Sequence, residues 1–182
     1  MLKLALGFAL AGAPALATEL QIEIAGEGAN GVVTIDLYED VAELHVERIA
    51  ALAEQGAYND VVFHRVIDGF MAQTGDVQYG KLGANLSGAG RGGSDLPDLP
   101  AEFSSLRFER GVVGMARSQN PNSANSQFFI MFQDGDFLNG QYTVVGKVTD
   151  GMDVVDAIKL GTGQNGSVVG QPDVMKKVTV KQ

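Results

Sequence analysis

The sequence predicts a mainly β fold in which eight short strands build an antiparallel barrel or sandwich and two α-helices cover its open ends. Three observations carry that expectation. The strand-like segments are short, and several alternate apolar with polar residues, the period of a half-buried strand. Only two stretches switch to helical spacing. Clusters of Gly, Asn, Asp and Pro punctuate the chain between segments.

Residues 20–25 and 32–38 alternate as two strands, and Glu27-Gly28-Ala29-Asn30-Gly31 between them signals a hairpin turn. Over residues 41–55, Val41, Leu44, Ile49, Leu52 and Ala53 supply an apolar face behind Glu39-Asp40 and ahead of Gly56, which predicts an amphipathic helix. Residues 61–67 and 70–74 are strands joined by Asp68-Gly69, a tight-hairpin dipeptide. Residues 75–102 show no periodicity. A loop that long in a compact domain usually serves function or mobility. Strand-like segments resume at residues 111–115, 127–132 and 142–148, followed by a helix over about 152–160 and a last strand at 174–180. There is no sign of an internal repeat or a second domain.

The 182 residues carry 22 acidic and 13 basic side chains, a formal charge of -9, with 24 Gly, two His and no Cys. One soluble domain accounts for that length. The acidic balance argues against general affinity for nucleic acid or for anionic lipid surfaces. Without Cys there is no disulfide, thiolate zinc site or cysteine nucleophile, and two His offer little for a metal cluster. No metal and no cofactor are expected. At the N-terminus, Lys3 precedes an apolar run that closes on Ala15-Leu16-Ala17, the pattern of a secretory signal cleaved after Ala17. Residues 1–17 are then the signal and residues 18–182 the domain, exported to a bacterial periplasm. The run is too short to span a bilayer, so stable membrane association is not expected.

Gly88-Ala89-Gly90-Arg91-Gly92-Gly93 matches G-x-G-x-x-G, but no strand precedes it and Pro97 follows closely, so a flexible glycine loop is the better reading than a dinucleotide site. His45 reads as a partly exposed helix side chain without a chemical task. His64, in a strand with no nucleophile motif nearby, reads as a structural hydrogen-bonding residue. The segment Phe63-His64-Arg65-Val66-Ile67-Asp68-Gly69-Phe70-Met71-Ala72-Gln73 is more informative. Strand alternation puts Phe63, Arg65 and Ile67 on one side, a guanidinium among apolar groups, with Phe70, Met71 and Gln73 returning beside it. Farther on, Gln127 and Phe129 share one face and Phe128 takes the other, so one ring can fill the core while the second lines a pocket.

Together with Gly114-Met115-Ala116-Arg117, the run Asn122 to Ile130, Phe137-Leu138-Asn139-Gly140 and Val145-Gly146-Lys147-Val148, these segments resemble the cyclophilins, peptidyl-prolyl cis-trans isomerases. The similarity extends over essentially all of residues 18–182. It implies a cyclophilin-like eight-stranded antiparallel β-barrel capped by two α-helices. It also implies that Arg65 is the catalytic arginine, with Gln73 as a second contributor. Phe70, Met71, Phe129 and Leu138 would form the proline pocket, Gln73 and Gln127 would hold the substrate backbone, and Ala116 and Arg117 would lie along the peptide-binding edge. Phe137 stands where many members have Trp, an exchange that bears on cyclosporin affinity, and Tyr142 stands at the rim where many have His. The implied partners are proline-containing polypeptides, acted on by a monomer. A proline-peptide binding module or holdase is a second reading; Arg65 together with Gln73 favours the enzyme.

Overall fold

A computed structural model describes residues 18–181, and the signal reading for residues 1–17 falls outside them. Among the described residues nine strands form one antiparallel sheet: β1 (Glu19–Ala25), β2 (Gly31–Leu37), β3 (Val61–Val62), β4 (Arg65–Ile67), β5 (Met71–Thr74), β6 (Val112–Met115), β7 (Phe128–Met131), β8 (Val144–Asp150) and β9 (Val174–Lys181). Helix α1 (Glu43–Glu54) follows β2, and the short α2 (Met152–Asp156) follows β8. The strand order is β3-β9-β1-β2-β8-β6-β7-β5-β4, so the two edges of this curled sheet are consecutive in the chain. The mainly β class and the two helices match the expectation from sequence.

The ninth strand arises from the way the sheet curls. Alternation alone treats residues 61–67 as one strand, but β3 pairs with β9 while β4 pairs with β5, at opposite edges. Phe63 and His64 make the crossing. The Phe63 N–H donates to the Asp173 carbonyl at 2.9 Å, and the His64 carbonyl accepts from the Val168 N–H at 3.0 Å. The crossing also breaks the two-residue period. Phe63 and Val66 both enter the main core, so Phe63 does not share a side with Arg65 and Ile67 as unbroken alternation requires.

Two apolar clusters result. Leu20, Ile22 and Ile24 of β1, Val33 and Ile35 of β2, and Phe128 and Ile130 of β7 fill the inside of the curl together with Val46, Ile49 and Leu52 of α1. Met71, Phe108, Val112, Phe129, Met131, Leu138 and Val144 form a smaller cluster on the other face. Helix α1 buries His45, Val46, Ile49, Leu52 and Ala53, whereas Leu44 is exposed. Five positions separate Leu44 from Ile49, about 140° around a helix, so the two cannot share a face. Helix α2 ends at Asp156 rather than near residue 160, because the Lys159 N–H turns aside to Asp173 Oδ2 at 2.8 Å.

Three polar side chains set the loops. Glu102, reaching back from the long loop, accepts the Leu44 and His45 N–H groups at 3.2 and 3.1 Å and so caps α1, which has no cap of its own at Ala42. It also meets Nδ1 of His45 at 2.5 Å; His45 is fully buried and anchors this loop, contrary to the expectation of an exposed, idle side chain. Asp76, fully buried, accepts N–H groups from Gln78, Tyr79, Gly90 and Gly92 at 2.7 to 3.1 Å. The glycine motif therefore wraps the protein's own carboxylate, and the expected flexible loop is tethered. A Cβ on Gly92 would stand 2.4 Å from Asp76 Oδ1, so the wrap needs glycine there.

His64 lies under this loop against Gly90, and neither ring nitrogen has a hydrogen-bond partner among the described residues. The ring fills that space, and the Val62 backbone beside it favours the protonated form. Burial is the largest cause lowering its pKa from 6.5 to about 4, with the charge of Asp76 opposing. As pH falls, the unfolded chain therefore binds this proton first, and stability present above about pH 6.5 is lost progressively toward pH 4. His64→Phe should remove this dependence. Urea unfolding at neutral pH and near pH 4.5 should show the wild type losing about 2–3 kcal/mol more than the variant, and equal losses would refute the assignment.

Candidate active site

Sheet register assembles the site. Arg65 of β4 lies opposite Gln73 of β5, Gln73 opposite Phe129 of β7, and Phe129 opposite Gly114 of β6. Directly opposed residues share a face, so these four form one row on the side away from the main core. Gly114 makes room in that row, since a Cβ there would stand 2.5 Å from the Phe108 ring and 2.6 Å from that of Phe129. Phe108 can then stack behind Phe129, with ring centroids 5.8 Å apart. Phe70 comes from the β4–β5 hairpin, whose turn uses Gly69 at φ +64. Phe137 and Leu138 come from the 3₁₀ turn Asp136–Leu138, and Tyr142 from the approach to β8.

A chain of hydrogen bonds crosses the polar half of the row. Arg65 Nε donates to the Asn165 carbonyl at 2.9 Å and Nη1 to Gln73 Oε1 at 3.1 Å. Gln73 Nε2 then donates to Gln127 Oε1 at 2.9 Å, and Gln127 Nε2 to the Gly92 carbonyl at 2.8 Å. Because a guanidinium only donates, Arg65 sets the direction of both amides. The Nη2 hydrogens of Arg65 have no partner among the described residues. Partial burial draws the Arg65 pKa down and Tyr142 opposes the shift, but the side chain stays protonated through the neutral range.

A cleft of about 410 Å³ brings together Arg65, Phe70, Met71, Gln73, Ala116, Arg117, Phe129, Phe137, Leu138 and Tyr142. Met71, Phe129 and Leu138 form a buried floor, while Phe137 is 65% exposed at the rim with its ring 5.4 Å from that of Phe70. Of the residues expected from sequence, Gln127 alone lies elsewhere. It lines a neighbouring cleft of about 340 Å³ that shares Gln73, Ala116 and Arg117 with the first. Arg117 lies over the Tyr142 ring, 4.3 Å from its centroid, and donates to the Gln141 carbonyl from Nε and Nη2 at 3.2 and 2.7 Å. Gln141 also lines the first cleft and was not legible in the sequence, since it holds Arg117 through a backbone carbonyl that any residue supplies. Chemically, the arrangement can seat a small apolar ring on the phenyl floor while charged N–H groups approach from one side.

The family model for cyclophilin type peptidyl-prolyl cis-trans isomerase/CLD matches residues 20–180. A probable peptidyl-prolyl cis-trans isomerase of Brucella suis is 60% identical over 154 residues, covering 84% of this chain and 79% of its own. Peptidyl-prolyl cis-trans isomerase B of Escherichia coli strain K12 is 36% identical over 165 residues, covering 84% of this chain and 96% of its own. Among solved structures, a cyclophilin from Hirschia baltica superposes with a TM-score of 0.73 at 26% identity, over 88% of this chain and 73% of that one. A Cryptosporidium parvum cyclophilin type peptidyl-prolyl cis-trans isomerase, solved in the presence of the dipeptide Ala-Pro, shares the fold with a TM-score of 0.74 at 24% identity, over 90% and 99% of the two chains. A family match across the whole sheet, with relatives alike in length, means that the chain belongs to the cyclophilin-type peptidyl-prolyl cis-trans isomerases and is an enzyme of that class.

Proposed function

We propose that Arg65 and Gln73 are the catalytic residues of this isomerase, and that Phe70, Met71, Phe129 and Leu138 receive the proline ring with Phe137 and Tyr142 at the rim. The observation that carries the reading is a guanidinium held by Asn165 and Gln73 beside an apolar floor, with Nη2 still free to donate. Rotation about an X-Pro bond breaks the amide resonance, against a barrier of about 18–20 kcal/mol. At the top of the barrier the lone pair is localised on the proline nitrogen, where a charged donor stabilises it more than in the planar amide. Reaching turnover of about 1–1000 per second from the slow uncatalysed exchange takes about 3–7 kcal/mol. One charge-assisted hydrogen bond contributes about 1.5–3 kcal/mol, so the remainder falls to exclusion of water and to a pocket that holds the ring while the preceding carbonyl turns. In this reading Gln73 orients Arg65, and Gln127, Ala116 and Arg117 hold the substrate backbone along the neighbouring cleft.

The substrates are X-Pro segments of unfolded or extended proteins, since the segment must lie along an open cleft and leave its proline ring accessible. The enzyme acts as a monomer. The apolar run before Ala15-Leu16-Ala17 supports synthesis with a removable leader and action in a bacterial periplasm.

Arg65→Ala should lower kcat/KM for an X-Pro peptide by a factor of about ten to a hundred while leaving the unfolding transition in place, as removal of a charged donor predicts. A variant as active as the wild type would overturn the assignment. Activity should be flat between about pH 6 and 8, because arginine stays charged throughout that range and His64, with its pKa near 4, is neutral there. A steep titration in that window on folded protein would point to another group. Export is checked by sequencing the N-terminus of the secreted protein, which should begin at Thr18.

A further inference from the structure

The two clefts share a rim, and together they are lined by three cations, Arg65, Arg91 and Arg117, and by no Asp or Glu. That is unusual for a chain with 22 acidic and 13 basic side chains. The three arginines are also held differently from the cations that form ion pairs. Arg65 is fixed by the Asn165 carbonyl and Gln73 Oε1, Arg91 by the Ser87 carbonyl at 2.6 Å, and Arg117 by the Gln141 and Ser118 carbonyls. None of them has a carboxylate partner among the described residues, whereas Arg107, Arg110, Lys147, Lys159 and Lys176 each have one; Arg48 and Lys81 are likewise held by backbone carbonyls, but neither lines the two clefts. Two carboxylates lie beside the second cleft, each bound by neutral groups of its lining: Asp76, buried, accepts from the Gly90 and Gly92 N–H groups among others, and Asp98 accepts from Asn125 Nδ2 at 3.0 Å.

Positive charge that is positioned by neutral groups stays available to an anion arriving from solution. The negative charge on the rest of the protein does not cancel this at contact range. At physiological ionic strength the screening length is about 8 Å, so remote carboxylates are damped while an arginine and a carboxylate in contact still pair. Resting on the proposed site, we infer that this isomerase selects its X-Pro segments by charge, favouring chains that carry Asp or Glu within a few residues of the proline, with Arg91 and Arg117 as specificity-determining residues. Arg65, already committed to the amide, is not needed for that discrimination.

The test uses an Ala-Pro peptide with neutral flanks and a series bearing a single Glu or Lys at each flanking position, with kcat/KM measured for every member. At one flanking position or more, the Glu peptide should exceed the Lys peptide by about threefold or more, the size expected of exposed charge pairs. Replacing both arginines, Arg91→Gln with Arg117→Gln, should bring that ratio close to one, and Arg91→Lys with Arg117→Lys should keep it. Arg91 is exposed, so Arg91→Gln alone narrows the ratio in a protein that folds normally. Equal values for Glu and Lys peptides at every position, or a ratio unchanged in the Gln variants, would overturn the inference. The neutral peptide separates the two levels. If its turnover does not depend on Arg65, the proposed site itself fails; if it does and no charge preference is seen, only the selection by charge fails.

Discussion

Arg65, Gln73, Phe129 and Gly114 can face one another only in a single register of four strands, and the site depends on that register. A slip of one residue would turn Val66, Ala72 and Ile130 outward and drive the guanidinium into the core. The register is held by the crossing at Phe63 and His64, which lets one short segment serve both edges of the sheet. Phe63 is locked into the main core and to the Asp173 carbonyl, so Arg65, two residues on, has little freedom in where it emerges. The same break frees Arg65 from the alternation that would otherwise have put Phe63 beside it.

Buried carboxylates do the cross-linking in a chain that has no cysteine. Asp173 gathers the N–H groups of Gly28, Ala29 and Lys159, joining the first hairpin, the exit from α2 and the start of β9. Asp76 gathers four more and draws the glycine loop over His64 to the edge of the second cleft. Through the Gly92 carbonyl, which receives Gln127 Nε2, that loop also terminates the amide chain that begins at Arg65. The orientation of the Arg65 guanidinium is thus coupled to a loop remote in sequence, through two side-chain amides and a backbone carbonyl.

Much of the fold was legible because β1, β2 and the β4–β5 hairpin obey local rules: Leu20, Ile22 and Ile24 alternate cleanly, and Asp68-Gly69 marks its turn. The candidate site residues come from a different source, ordered segments resembling a family, and ten of the eleven line one cleft. What escaped was non-local. The split of residues 61–67 follows from where β9 and β5 lie, which no window of sequence contains. The tasks of His45 and Glu102 depend on a contact across the long loop, and the turn at Lys159 depends on Asp173. The burial of His64 under Gly90 is equally non-local, since the loop that covers it is drawn in by Asp76.

The pairing of β1 with β9 has a consequence for how the chain is made. The first described strand is flanked by β2, available at once, and by β9, which is synthesised last of the nine strands. Loop-closure entropy across nearly the whole sequence must be overcome before that second ladder forms. Such non-local topologies fold slowly, and the half-finished sheet has exposed edges meanwhile. The row of Arg65, Gln73, Phe129 and Gly114 lies at the far side of the same sheet, so a nascent chain can hold all four residues and still lack the completed curl that keeps them in register.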